Sequence, residues 1–563
     1  MRFRRSVGVA LGALGMLGVA AVASGVTSFN DVRANNPQVS GVPNSNEAAV
    51  FPTNKQNEPT IAVNPTNATL LMAGSNDEQR QPPCGPGPVR GLQAAPNDCS
   101  FFPGVGTSGV YTSSDGGTTW MNRGLLDDQP SWKAGALISD GDPVIVYGPK
   151  PQPGGAFSYA NGARAYYATL ASYKAGQSPF PPNKAPELLA VSWSDNNGVT
   201  WSAPVTATVK NNPNDFNDKE SIWVDDLPSS PFFGRVYLSW TEFRSFTFTG
   251  NGSEPVMVAV SADAGTTWSA PKQLSPAGNN AANGGRQGSV VRSGPDGSVY
   301  VAWEDGAAQV VSGSRNGGAT WSRPTTIGPV VDLHDPLPGS NFRTNSFPSL
   351  ATDPRNGSTT VHAAWATRMP AGGRVVVATS TDRGATWSAP TTVSGGEGYA
   401  FYQGLDVAPN GRVDVGYQAQ VAANPAIFGT GNAWIDSYYV SKPLNGSWTG
   451  PAKVTTAPSD PAASAQNNLG RQFFGDYNTL VSTNANAWLI FTDTRNGVGC
   501  AAVDQYQVAV FGTGVIRGDM ADRVTARLGK DPYAHEPGSK PAPPEHCASQ
   551  FGNSDAFVSR IAP

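Results

Sequence analysis

The eight residues Ser261-Ala-Asp263-Ala-Gly265-Thr-Thr267-Trp268 decide the fold, because the same pattern returns along the chain. It recurs at Ser113 to Trp120, Ser194 to Trp201, Ser314 to Trp321 and Ser380 to Trp387. A worn sixth copy, Ser441 to Trp448, has Pro443 at the acidic position. Successive copies start 53 to 81 residues apart. A unit repeated at that period is one supersecondary element stacked on its own copies, the signature of propellers and arrays. Within the motif, Ser261 and Asp263 can accept backbone N–H bonds and hold a tight turn. Gly265 suits positive φ, and Trp268 offers an apolar plate to pack under a hairpin. Asn196 and Asn316 replace the acid in two copies, which a turn tolerates and a catalytic acid or metal ligand does not. The motif reads as a hairpin staple.

A second repeat lies between the staples. Units open on a short apolar strand led by polar residues: Glu58-Pro-Thr-Ile-Ala-Val, Asp142-Pro-Val-Ile-Val-Tyr, Glu220-Ser-Ile-Trp-Val-Asp and Gln287-Gly-Ser-Val-Val. Ser346-Phe-Pro-Ser-Leu-Ala, Gln403-Gly-Leu-Asp-Val-Ala and Tyr477-Asn-Thr-Leu-Val continue the series. A second strand such as Val236-Tyr-Leu-Ser-Trp-Thr follows, a third runs into the staple, and Ser-Ala-Pro starts a fourth. That is a four-stranded antiparallel meander, repeated. The expected fold class is all-β, a β-propeller of seven blades, with six as the alternative. The last unit has no staple; Asp504 to Phe511 and Asp555 to Ile561 are expected as its outer strands, around a loop insertion at about 515–546.

Composition narrows the setting. Arg2, Arg4 and Arg5, an apolar run from Val7 to Ala23 and the small residues Ala21-Val22-Ala23 form a secretion signal over 1–23. Residues 24–56 are polar and read as a flexible leader, leaving 57–563 for the propeller. No other run reaches the roughly 18 apolar residues a span requires, so no membrane span is expected in the mature chain. Charged residues make 14% of the chain and the net charge is −4, which provides no basic stripe for nucleic acid. A secreted, extracellular monomer is expected, with a glycan or other extracellular ligand at the propeller mouth. Four cysteines fit an oxidising compartment; Cys84 with Cys99 and Cys500 with Cys547 is the preferred pairing of the three that four cysteines allow. The four histidines, His334, His362, His535 and His546, form no zinc motif. No metal and no cofactor is expected, and His362 reads as a packed residue.

The repeated Ser-x-Asp-x-Gly-x-Thr-Trp resembles the Asp box, or bacterial neuraminidase repeat, of the sialidase-like propellers, over about residues 57–562. The stretches Asp218-Lys219-Glu220-Ser-Ile-Trp-Val-Asp, Gly475-Asp476-Tyr477 and Thr492-Asp493-Thr494-Arg495-Asn496-Gly497 are similar to those of secreted bacterial proteins labelled exo-α-sialidase. The resemblance implies Asp boxes on the face away from the chemistry. It also implies three arginines for a sugar carboxylate, a tyrosine nucleophile helped by a glutamate, and an aspartate acid/base. The family's Arg-Ile-Pro motif is absent, and the corresponding segment reads Asn57-Glu58-Pro59.

The unit openings should converge on the channel mouth, and they carry a matching inventory. Arg286, Arg343 and Arg471 are the candidate carboxylate binders. Tyr477 is the first candidate nucleophile and Tyr402 the second, with Glu220 as helper and Asp142 as proton donor. Three readings follow: a sialidase-like exo-glycosidase on anionic glycans, a non-catalytic propeller binding glycans, peptides or cell-envelope partners, and an endoglucanase-like enzyme drawing on Asp142, Asp218, Glu220 and Asp476.

Overall fold

Seven four-stranded sheets, each hydrogen-bonded in simple order, form the protein. They are seen in a computed structural model that describes residues 26–38, 45–82, 88–89, 92–93, 99, 104–180, 186–208, 215–244, 253–277, 286–422, 433–511 and 540–563. The first blade runs Gln56–Val63, Leu71–Asp77, Gly109–Ser113 and Met121–Leu125. The inner strands of the next five are Leu137–Pro151, Phe216–Val224, Arg286–Ser293, Ser349–Thr352 and Tyr399–Val407. The seventh blade starts at Thr479–Ser482 and continues through Ala487–Asp493 and Asp555–Ala562.

Its fourth strand comes from the other end of the chain. Ser28–Arg33 pairs antiparallel with Asp555–Ala562, Val32 opposite Val558. The N-terminal segment thus covers the edge of Asp555–Ala562 and completes the seventh blade from the far end of the chain. This corrects two expectations. Part of the stretch read as a flexible leader is a strand, and Asp504 to Phe511 is not one: Ala501–Phe511 is a helix. The outer position is already filled, and Val503 and Tyr506, three apart on the helix, are buried against Phe51, Leu469 and Phe551. Cys500 and Cys547 are disulfide-bonded at the foot of this helix. Cys84 and residues 512–539 lie outside the described residues, so the pairing given to Cys84 and most of the expected insertion lie outside them too.

Why the sequence closes into a ring is visible in the alternation of the strands. Trp240, Trp303, Trp365 and Trp488, each on a second strand, are fully buried in the blade interfaces. Truncating one to alanine in such a setting costs about 3–5 kcal/mol. The inner strands are stitched by short hydroxyl side chains. Ile145 N donates to Thr60 Oγ1 (3.2 Å) and Val291 N to Ser221 Oγ (3.3 Å); Ser349 Oγ donates to the Gln403 carbonyl (2.7 Å).

The staples do what their residues dictate. Asp263 Oδ1 accepts from Thr267 N (2.8 Å) and Ser261 Oγ (2.8 Å), its Oδ2 accepts from Thr267 Oγ1 (2.6 Å), and Gly265 N donates to Ser261 Oγ (2.9 Å). Gly265 has φ +83°, in the region glycine alone enters without strain. In the second copy Asn196 substitutes, accepting from Thr200 N (2.9 Å) and donating to Thr200 Oγ1 (2.9 Å). These turns link third to fourth strands, so in an antiparallel meander they share a face with the turns linking first to second strands. The inner strands begin on the opposite face, here termed the upper one.

Candidate functional site

At the start of five inner strands the ladder slips by a bulge, between Asn57 and Thr60, Gly141 and Val144, Asp218 and Ser221, Gln287 and Val290, and Phe401 and Gly404. The residue two before each resumed pair is left-handed: Glu58 (φ +52°), Asp142 (+52°), Lys219 (+56°), Gly288 (+66°) and Tyr402 (+48°). Counting back equally from Ser349 and Thr479 gives Phe347 and Tyr477. Seven equivalent positions, one per blade, therefore ring the upper end of the channel. Four of them hold non-glycine residues in a conformation costing about 1–3 kcal/mol each. Strain repeated at one level of a ring is a property of functional rims and bulged mouths.

This register shifts one expected equivalence. Glu220 does not match Glu58 and Asp142; Lys219 does. Glu220 falls one position on, with Gln403 and Asn478, whose amides donate to the Phe347 and Tyr402 carbonyls (2.8 and 3.3 Å). That position points between blades. Glu220 is buried, and its two oxygens have no hydrogen-bond partner among the described residues. Burial and the nearby Asp218 push its carboxyl far above the ordinary range.

Around the ring, the acids come together. The Asp142 carboxyl lies beside Glu58, and burial followed by the Glu58 charge holds its proton far above the usual carboxylate range. Asn76 fixes both: its Nδ2 donates to Glu58 Oε2 (2.8 Å) and its Oδ1 accepts from Asp142 N (2.7 Å). Tyr477 reaches the same cluster, its hydroxyl donating to the Pro143 carbonyl at 3.3 Å. Burial first, then Asp142, Glu58 and Glu220, raise its phenol pKa well above 10. The Lys219 ammonium sits 3.3 Å from the Tyr477 ring centroid and 5.7 Å from that of Phe347, and makes no hydrogen bond to a described residue. These three belong to blades three, five and seven, so the lysine crosses the channel and roofs it.

The three arginines do not share a point of attack. Arg343 holds Asp476 through two bonds (2.7 and 2.8 Å) and approaches Glu58 at 3.6 Å, so it borders the acid cluster. Arg471 is buried, ion-paired with Asp335 and donating to the Asn341 carbonyl. Arg286 faces Asp305 at 3.1 Å. Each guanidinium thus has its own carboxylate. Tyr402 is a brace: its buried hydroxyl lies 2.6 Å from both the Arg343 and Gly475 carbonyls, and burial raises its pKa far above 10. Asp218 accepts from Lys219 N (2.9 Å) and Gln287 Nε2 (3.4 Å).

Glu58 and Lys219 are the members that inspection of the sequence did not single out as site residues. Glu58-Pro59 and Asp142-Pro143 align without a gap, and that doublet was the available signal for Glu58. Lys219 needed the bulge register. Among the described residues no group of three or more His, Cys, Asp or Glu side chains is arranged to hold a metal, and no helix is long and apolar enough to cross a membrane.

Residues 245–397, which span three of the Asp-box turns, match the BNR repeat-like domain family. The chain is a seven-bladed β-propeller that carries a BNR repeat-like segment. Among curated proteins none matches it in sequence. The propeller is similar to several solved structures. The NanB sialidase from Streptococcus pneumoniae is 12% identical with a TM-score of 0.37, over 75% of this chain and 80% of that one. A second NanB structure, with Optactamide, matches over 58% of this chain and 63% of that one, less than two thirds of its length, at 13% identity and TM-score 0.36. The α-L-arabinofuranosidase Arb93A from Fusarium graminearum is 14% identical with a TM-score of 0.40, over 70% and 96%. At these values the likeness carries nothing about substrate.

Proposed function

We propose that this propeller is an exported glycoside hydrolase that takes the terminal sugar of a glycan on its upper mouth. The observation that supports this most is the Glu58–Asp142 carboxyl pair, bridged by Asn76 and beside Tyr477. A carboxyl kept protonated near neutral pH is what protonation of a glycosidic oxygen requires. In this reading Asp142 gives its proton to the leaving oxygen. Tyr477 attacks the anomeric carbon, its phenolic proton passing to a neighbouring carboxylate of the cluster. Water then cleaves the glycosyl–tyrosine bond with Asp142 as base, returning proton and phenol to their starting states. Lys219 holds the Tyr477 ring in place. Arg343, already forked by Asp476, would have to exchange partners to take a sugar carboxylate, which favours sugars less acidic than sialic acid. Export accords with the basic and apolar start of the sequence and with the Cys500–Cys547 disulfide.

One observation favours a second reading, glycan binding without turnover: all three arginines are closed by carboxylates, and Tyr477 lies under the Lys219 ammonium. The test is hydrolysis of a fluorogenic panel (sialoside, arabinofuranoside, hexosides and uronides) by the mature protein, beside Asp142→Asn and Tyr477→Phe. Turnover of one member, lost at least 100-fold in both folded variants, supports catalysis at the cluster. Absence of turnover across the panel, with glycan binding retained, supports the second reading.

A further inference from the structure

Beneath the Lys219 roof the seven inner strands enclose a channel of about 580 Å³, within the roughly 300–1,000 Å³ of small-molecule sites. It reaches the lower face, where exposed Pro65, Pro228 and Pro409 form its rim. Two residues beyond each resumed ladder pair, the side chains of one strand level line this channel. Four of the seven are apolar and small to medium: Ala62, Val146, Ala351 and Val481. The other three are Trp223, Arg292 and Asp406.

Arg292 differs from the arginines of the upper face. Its guanidinium stacks on Trp223 at 4.3 Å from the ring centroid and donates to the Val291 carbonyl at 2.7 Å. Among the described residues no carboxylate stands within ion-pair distance of it, so most of its fork is unused. The carboxyls that act on it electrostatically are Asp406, two blades on past the small Ala351, and Asp226 at the end of its neighbour's inner strand, both in the lining of the same cavity. Asp406 accepts from Ser482 N at 2.7 Å. A half-buried guanidinium backed by an indole, with two carboxyls held apart from it, leaves room for a guest that bridges them. The guest chemistry follows from the charges: a carboxylate for the arginine fork, an ammonium for the two aspartates, and an apolar body for the aliphatic half of the ring.

We propose that the lower channel is a binding site for a zwitterionic apolar ligand, a free aliphatic or aromatic amino acid or a short apolar peptide, with Arg292 on its carboxylate and Asp226 and Asp406 on its ammonium. The cavity is continuous at its upper end with Lys219 and Tyr477, but the proposed contacts lie on the lower strand level and use none of the residues given a role in hydrolysis. Asp225, next in chain, is engaged by Ser230 Oγ at 2.7 Å and stands outside the pairing.

Isothermal titration of the mature protein tests this with leucine, phenylalanine and leucyl-leucine as probes. The controls are 3-methylbutylamine, which lacks the carboxylate, and 4-methylpentanoate, which lacks the ammonium. The expected result is saturable binding of at least one zwitterion, at least tenfold tighter than either control. The comparison of leucine with leucyl-leucine tells free amino acid from peptide. Arg292→Met, which keeps an apolar stem on Trp223, should weaken the zwitterion at least tenfold and leave 3-methylbutylamine unchanged. Asp406→Asn should weaken the zwitterion and leave 4-methylpentanoate unchanged or tighter. No binding of any zwitterion by folded protein overturns the proposal. So does wild-type affinity in Arg292→Met, or a control that binds as well as leucine.

Discussion

Lowering the pH from 7 to 5 should destabilise the protein through His362 by a predictable amount. This imidazole lies on the second strand of the fifth blade, 8% exposed, its Nδ1 2.8 Å from Thr379 Oγ1. Burial, more than any neighbouring charge, lowers its pKa from 6.5 to about 4. The folded protein keeps the ring neutral where the unfolded chain has already taken up a proton. The stability tied to this group is therefore complete above about pH 6.5 and is lost as pH falls through about 4. The full span of the shift corresponds to about 3 kcal/mol, of which about 2 kcal/mol is lost by pH 5. Carboxyls raised by burial, such as Asp127 at about 6, act in the opposite direction as pH falls, so wild type alone does not isolate the term. His362→Gln does, because it preserves size and a partner for Thr379 without the ionisation. Urea denaturation of both proteins at pH 7, 6 and 5 should show wild type losing about 2 kcal/mol relative to the variant between the extremes. A difference that stays constant over that range, or moves the other way, refutes the buried neutral imidazole.

Other perturbations probe the ring itself. Val32→Pro places a proline in the closing strand opposite Val558; it should lower the thermal midpoint and raise the rate of limited proteolysis at the seventh blade, whereas the same change at exposed Pro-flanked turns should not. Asp263→Ala removes an acceptor for Thr267 N, Thr267 Oγ1 and Ser261 Oγ, so calorimetry should record a loss of about 1–3 kcal/mol with no change in ligand binding at either end of the channel. Replacing Cys500 and Cys547 by serine opens a loop of sequence separation 47 and should cost about 4 kcal/mol in denaturant titrations under oxidising conditions, and nothing relative to wild type once reductant is present. Arg343→Ala strands Asp476 and removes one of the positive charges facing Glu58; it should destabilise the fold by several kcal/mol, about 3–5 for a buried pair broken on one side, which differential scanning calorimetry would register.

Much of the architecture was legible because its determinants are local. The staple spells its own hydrogen bonds: serine, acid or amide, glycine and threonine at fixed offsets, with Asn196 and Asn316 performing as acids do. Seven strand openings likewise counted seven blades. What escaped was everything set by partners distant in sequence. Ser28–Arg33 has no apolar alternation strong enough to announce a strand, and becomes one because Asp555–Ala562 offers an edge at the far end of the chain. Asp504 to Phe511 alternates like a strand, yet the edge it would fill is taken and its apolar spacing equally serves a helix on Phe51 and Phe551. The site was half legible. Aligning Glu220 with Glu58 and Asp142 was off by one residue, because a bulge adds a left-handed position that no composition rule marks. Arg286, Arg343 and Arg471 were chosen for what they precede; their partners Asp305 and Asp335 lie outside the openings, and Asp476, though it stands at one, is joined to Arg343 only by the closure of the ring.

Trapping the intermediate tests the central claim most directly. Once a substrate is identified from the fluorogenic panel, the matching 2-deoxy-2-fluoro glycoside with an activated leaving group is incubated with the mature protein, followed by intact-mass analysis and peptide mapping. The account predicts a single glycosyl adduct on the peptide containing Tyr477, absent from Tyr477→Phe. An adduct on a carboxylate such as Asp218, or steady turnover with no adduct at Tyr477, would contradict it.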